Sequence, residues 1–212
     1  MAEILRISGE APEPHLIEYA ADMIRRGRVI AVPTDTFYGL AADPYNLAAV
    51  AEIYRIKGRV EQKALPILVS SVEQAEEMAA DLPGSFYMLT QRFWPGALTL
   101  VVDASRRLPL KVTGNTGRVA LRQPAAKIPC ALISAAQTPI TGTSANLSGF
   151  PACSNAAQVA KQMGDDLPLI VEGGESKATL ASTVVDLRGD GWQILREGGI
   201  SEEEIRAALA SE

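Results

Sequence analysis

Apolar positions recur along this chain in two periods. From His15 to Gly27, the residues Leu16, Ile17, Ala20, Met23 and Ile24 fall on one helical face, and Gly27 closes the segment. Val29–Val32 follows as a short unbroken apolar run, the pattern of a buried strand. Helical spacing returns from Asn46 to about Ile56, with Val50, Ile53 and Tyr54 apolar, and from about Gly84 to Phe93, where Trp94-Pro95-Gly96 stops it. Ser71 is placed to cap a helix running to about Ala80. Further helices are predicted over Ala125–Ala135 and Asn155–Met163. Ser201 caps a last one, whose opening acids suit the helix dipole. Strand patterns cover Ile67–Val69, Ala97–Val102, Val119–Leu121, the vicinity of Ile140, Leu169–Val171, Thr183–Leu187 and Trp192–Leu195.

Helices and short strands alternate, but several strands succeed one another directly. The pattern predicts an α/β fold, a mixed sheet with helices packed on it, rather than a strict βαβ ladder. No repeat or low-complexity linker divides the chain, so a single domain over residues 1–212 is expected. Neither G-x-G-x-x-G after a strand nor G-x-x-x-x-G-K-[ST] is present, which removes the two common nucleotide-binding signatures.

Composition narrows the function classes. Of 212 residues, 47% are hydrophobic, enough for a sizeable core. No apolar run approaches the roughly 20 residues of a membrane span. MAEILRISGE lacks the basic flank and apolar stretch of a secretory signal, and Cys130 and Cys153 make no disulfide framework. A cytoplasmic protein is expected, with no membrane partner. The lone histidine, His15, reads as a surface residue at a helix start. One histidine and two separated cysteines do not suit a zinc site or a Ser-His-Asp triad, and no metal-ligand set is predicted. A net charge of −5 argues against general nucleic-acid binding. Yet Ala104–Gly164 holds no Asp or Glu, while carrying Arg106, Arg107, Lys111, Arg118, Arg122, Lys127 and Lys161. A carboxylate-free segment suits a site for anions.

Candidate chemistry sits in five polar islands beside strand or helix ends. PTDTFYGL, Pro33–Leu40, crowds Thr34, Asp35, Thr36 and Tyr38 at the end of a buried strand. It reads either as a polar turn, with Gly39 supplying a positive φ, or as a ligand site at a strand's carboxyl end. Lys57-Gly58-Arg59 could favour a helix C-terminus or converge on a polyanion. Arg118 and Arg122 bracket an apolar strand, and arginine's planar fork matches carboxylate or phosphate. GTSANLSG, Gly142–Gly149, is dense in small hydrogen-bonding groups, among them Ser144 and Asn146. ALASTVVDL brings Ser182 and Thr183 into a strand, with Arg196 following WQIL. Together the islands supply cations and hydroxyls without an obvious acid–base pair, a profile for positioning anionic reactants.

In this order the islands resemble the YrdC/Sua5 family of L-threonylcarbamoyladenylate synthases. PTDTFYGL matches the opening motif, Lys57 and Arg59 the K-x-R, and FWPGALTLVV the aromatic-Pro-Gly strand. Ser144 and Asn146 match the S-x-N, STVVDL the late strand, and Arg196 the final arginine. The resemblance covers about residues 8–208. It implies an open twisted mixed β-sheet with flanking helices around a positively charged cavity. It also implies a reaction joining L-threonine, bicarbonate and ATP, with release of pyrophosphate, as the first step of N6-threonylcarbamoyladenosine formation at tRNA position 37. By resemblance, Thr34, Arg122 and Ser182 bind threonine, with Arg122 on its carboxylate. Lys57 and Arg59 are the catalytic pair and hold phosphates and carbamate. Thr113, Ser144, Asn146 and Arg196 complete the ATP site. Mg²⁺ is expected with ATP, no organic cofactor is expected, and a downstream threonylcarbamoyl transferase complex takes the product. Asp35 is expected to brace its loop and Tyr38 to pack beneath it.

Two departures stand out. Family members carry proline where this chain has Val60 and Ala64, which implies a looser lid over the nucleotide. The chain resembles the short YrdC-type members, without the further domain of the long Sua5 type. Rival readings are a non-catalytic paralogue of the YciO type binding tRNA or double-stranded RNA, and a carbamoyl-phosphate enzyme of the hydrogenase-maturation kind. The intact K-x-R and S-x-N speak against the first, and the missing zinc-finger-like cysteines against the second.

Overall fold

The computed structural model describes residues 1–58, 63–189 and 191–210. The chain runs β1 (Glu3–Arg6), α1 (Pro14–Arg25), β2 (Ile30–Val32), β3 (Gly39–Ala41), α2 (Leu47–Lys57), β4 (Ile67–Leu68), α3 (Val72–Met78) and α4 (Gly84–Phe93). It continues through β5 (Leu98–Asp103), β6 (Arg118–Arg122), α5 (Lys127–Ala136), β7 (Ile140–Thr141), β8 (Thr143–Ser144) and α6 (Ala156–Met163). It closes with β9 (Leu169–Glu172), β10 (Thr183–Arg188), β11 (Gly191–Arg196) and α7 (Glu202–Leu209).

The expected α/β class and mixed pairing hold, but the strands form two sheets. One has the order β1-β9-β2-β3-β8, the other β11-β10-β5-β6-β4-β7. Each combines parallel and antiparallel neighbours: β9 lies parallel to β1 and β2, whereas β3 is antiparallel to β2 and β8. In the second sheet β10 is parallel to β5 and antiparallel to β11.

Both faces of the first sheet are covered. Ile30, Val32, Leu169 and Val171 pack against Ile17 and Ile24 of α1 and Leu132 of α5. The alternate residues Ala31 and Ile170 enter a second cluster with Val50 and Ile53 of α2. The two-residue period of a strand sends successive side chains to opposite faces. Two apolar faces are why Val29–Val32 reads as an unbroken run.

The helix stops follow from capping. Asn46 Oδ1 accepts from the amides of Ala48 and Ala49, both at 3.1 Å, opening α2. Gly58 ends it in the left-handed conformation, φ 55°. Ser71 and Asn155 cap α3 and α6, and Ser201 forms a full capping box with Glu204 on α7. His15 is exposed at the first turn of α1.

The sheets meet where β7 gives way to β8. Thr141 is fully buried; its amide donates to Ala42 O at 2.9 Å and its hydroxyl to Leu40 O at 2.8 Å. Gly142 then crosses between the sheets. A Cβ there would stand 2.6 Å from Leu68 Cγ, so only glycine fits without repacking.

Candidate functional site

Strand ends from both sheets converge on one cavity of about 310 Å³. Thr34 and Thr36 enter from the loop after β2, Arg122 from the end of β6, and Ser144 from β8. Ser182 lies just before β10, and Arg196 ends β11. The described lining contains two arginines and no carboxylate. Leu68, Phe37 and Val184 add apolar wall.

Arg122 is only 6% exposed. Its Nε donates to Gly96 O at 2.9 Å and its Nη1 to Thr36 Oγ1 at 2.8 Å. Nη2 lies 2.7 Å from Asp35 Oδ2, an ion-pair contact that leaves Nη2 and Asp35 Oδ1 without hydrogen-bond partners. Burial pushes the guanidinium below its ordinary pKa, and the Asp35 charge pushes back. Arg196 is also pushed down, first by desolvation and then by the positive charge of Arg122. Its Nη2 donates to Ser182 O at 2.8 Å and to Ser182 Oγ at 3.1 Å. Ser182 Oγ also pairs with Thr99 Oγ1 at 2.8 Å. Two arginine forks and several hydroxyls over an apolar wall suit a small anionic ligand held in one orientation.

The loop of PTDTFYGL is braced from within and beneath. Thr34 Oγ1 donates to Phe37 O at 2.7 Å and accepts from the Thr36 amide at 3.1 Å. Tyr38 is fully buried and donates to Gly174 O at 2.7 Å, as a packing residue beneath the loop would. Gly39 does not supply a positive φ; it pairs in β3 opposite Val32 and Ser144, so the turn reading is corrected to a strand.

Lys57 stands behind the 144–146 turn rather than in the described lining. Its Nζ donates to Ser144 O, to Asn146 O at 2.8 Å and toward Asn146 Oδ1 at 3.4 Å. A buried ammonium thus ties the end of α2 to both residues of the S-x-N. Thr113 is buried outside the lining, with its hydroxyl on Leu110 O at 2.9 Å. Arg59 and Val60 lie outside the described residues; Ala64 lines the cavity. Among the described residues no cluster of three or more His, Cys, Asp or Glu could hold a metal.

Of the cations in the carboxylate-free segment, Arg122 alone lines the cavity. Arg118, at the other end of the same strand, binds Asp103 at 2.6 Å and the buried Asp186, a structural ion-pair network. Lys127 donates to Glu10 O at 2.7 Å. Thr36 and Thr99 are not among the expected ligand residues, and Asp35 is expected only to brace its loop. Thr36 and Asp35 were within the first polar island, whereas Thr99 reads only as part of an apolar strand.

The fold and cavity define a mixed α/β protein with an arginine-lined ligand site at its strand ends. The family model Sua5_yciO_yrdC, described as "Telomere recombination", matches residues 22–198, and the chain belongs to this family. A Pyrococcus abyssi protein named threonylcarbamoyl-AMP synthase is 40% identical over 94% of the chain. The chain spans 59% of that relative's length. The crystal structure of P. abyssi Sua5 complexed with L-threonine superposes with a TM-score of 0.95 at 39% identity, over 99% of this chain and 61% of that one. Escherichia coli YciO shares the fold, with a TM-score of 0.88 at 23% identity, over 97% of this chain and all of that one. Among the described residues, no helix is long and apolar enough to cross a membrane.

Proposed function

We propose that this chain is a threonylcarbamoyl-AMP synthase in one YrdC-like domain, joining L-threonine, bicarbonate and ATP and releasing pyrophosphate. The observation that carries this reading is the meeting of Thr34, Arg122, Ser144, Ser182 and Arg196 on one cavity, although they come from four separate islands. The P. abyssi relative named for this activity and the threonine complex of P. abyssi Sua5 support the substrate class. The YciO-type reading is not favoured, because the likeness to YciO at 23% identity carries the fold alone.

In this reading threonine carbamate attacks the α-phosphorus of ATP. A carbamate-oxygen to phosphorus bond forms, and the bond to the pyrophosphate leaving group breaks. The protein's task is to bring two anions together in line, which fixed cations do at little reorganisation cost. Arg122 takes the threonine carboxylate with its fork. Thr34 and Ser182 offer hydroxyls to the polar groups of threonine. Ser144 and Asn146 serve the nucleotide's phosphate and ribose, Arg196 closes on phosphate, and Thr113 flanks the nucleotide side. Lys57 keeps the Ser144–Asn146 turn in place, and Lys57 and Arg59 are the residues assigned to the phosphates and carbamate. Mg²⁺ is expected to enter with ATP, where it would neutralise charge on the phosphates. No organic cofactor is required. The product passes to a threonylcarbamoyl transferase complex acting on tRNA in the cytoplasm.

Pyrophosphate release by the purified chain tests the reading. Release that needs ATP, L-threonine and bicarbonate together is the expected result. No release from folded protein under any combination would overturn it, and salt-dependent tRNA binding would then support the paralogue instead.

A further inference from the structure

Asp35 does not line the cavity. It lines a neighbouring hollow of about 360 Å³ on the far side of its loop, with Pro33, Ile128 and Gly173. From there it meets the buried Nη2 of Arg122 at 2.7 Å, while Thr36 and Gly96 hold Nη1 and Nε. Two loops therefore grip one guanidinium at the end of β6. The cation of the neighbouring hollow, Lys127, is turned to Glu10. Without its carboxylate, Arg122 would be a desolvated cation facing a second cation, Arg196, whose guanidinium its charge already perturbs.

We propose that Asp35 is a positioning residue, an inference that rests on the synthase reading. From behind the cavity its carboxylate fixes which edge of the Arg122 guanidinium meets the substrate amino acid, and it offsets the repulsion between Arg122 and Arg196. Thr36 completes the grip with a neutral acceptor. Asp35 touches no ligand itself, so its loss acts through Arg122 and falls on the amino-acid substrate before the nucleotide.

Two measurements on the full chain test this. Solvent exchange of the Arg122 guanidinium Nη–H groups, followed by ¹⁵N NMR and assigned by their loss in Arg122→Lys, reads the grip without any substrate. Exchange is expected to be about tenfold faster or more in Asp35→Asn, and close to wild type in Asp35→Glu. In the pyrophosphate assay, Asp35→Asn should raise the KM for L-threonine about tenfold or more, with the KM for ATP within about twofold. Asp35→Glu should recover most of the loss, and Thr36→Val, which keeps the charge, should cost less. Unchanged exchange in Asp35→Asn would overturn the inference. So would an equal rise in both KM values with a fallen Tm, the mark of a loop brace. A wild-type chain that releases no pyrophosphate would overturn the synthase reading alone, and the exchange measurement would still decide the role of Asp35.

Discussion

Arg118 and Arg122 share a strand and a residue type, yet their partners give them different work. Arg118 meets Asp103 and the buried Asp186, while Arg122 ends the strand beside Asp35 and Thr36 and faces the cavity. The apolar run between them announces a strand but not which end opens on a site. Arginine's fork is the feature a carboxylate ligand would use. Arg122→Lys keeps the charge and loses the fork. The expected outcome is a rise in the KM for L-threonine on the order of tenfold, with little change for ATP, measured by pyrophosphate release. An equal rise for both substrates would remove the carboxylate role from Arg122. Thr99 shows the limit of reading residues singly. Its hydroxyl reaches Ser182 only because β5 and β10 pair in register.

Helix starts were legible because capping is local chemistry. Ser71, Asn155 and Ser201 each lie next to the amides they cap, so the chain itself carries the signal. α7 depends on such contacts, since Ile205 is its one buried residue. Ser201→Ala should cost about 1 kcal/mol of stability, read as a lower Tm. The bonds Glu204 accepts from the Ser201 backbone and then its side chain hold its carboxyl below the usual carboxylate range. A depressed folded pKa contributes stability that is present above the unfolded pKa and lost as pH falls through the folded value. The Tm deficit of Ser201→Ala should therefore shrink as the pH drops below the carboxylate range. A constant deficit would remove Glu204 from the cap. Three short strands escaped the pattern. β1 is an exposed edge that pairs with β9 near the far end of the chain. β3 and β8 are brief segments inside glycine-bearing polar islands; β3 pairs with β2, its neighbour in sequence, and β8 pairs with β3 from far along the chain. β1 and β8 exist through long-range pairing, which no local window contains.

At the scale of the molecule, the division of the strands between two sheets is the main departure from expectation. Gly142 is where they join, and it lines the cavity as well. Gly142→Ala should force Leu68 aside at a cost of about 1–3 kcal/mol, as overpacking does. With Leu68→Ala added, the double variant should lose less Tm than the sum of the two single losses; a strictly additive double variant would place the strain elsewhere. The sequence by itself determined the α/β class, the helices with the caps at Ser71 and Ser201, the buried strands and the polar islands. It also carried the family, because ordered motifs survive as local spacing. Tertiary structure decided which islands share a cavity, that Lys57 grips the Ser144–Asn146 turn, and that Asp35 grips Arg122 from behind. The reason is physical. Periodicity and capping act over a few residues, whereas a site is a coincidence of strand ends, and their meeting depends on pairing order and register across the whole chain.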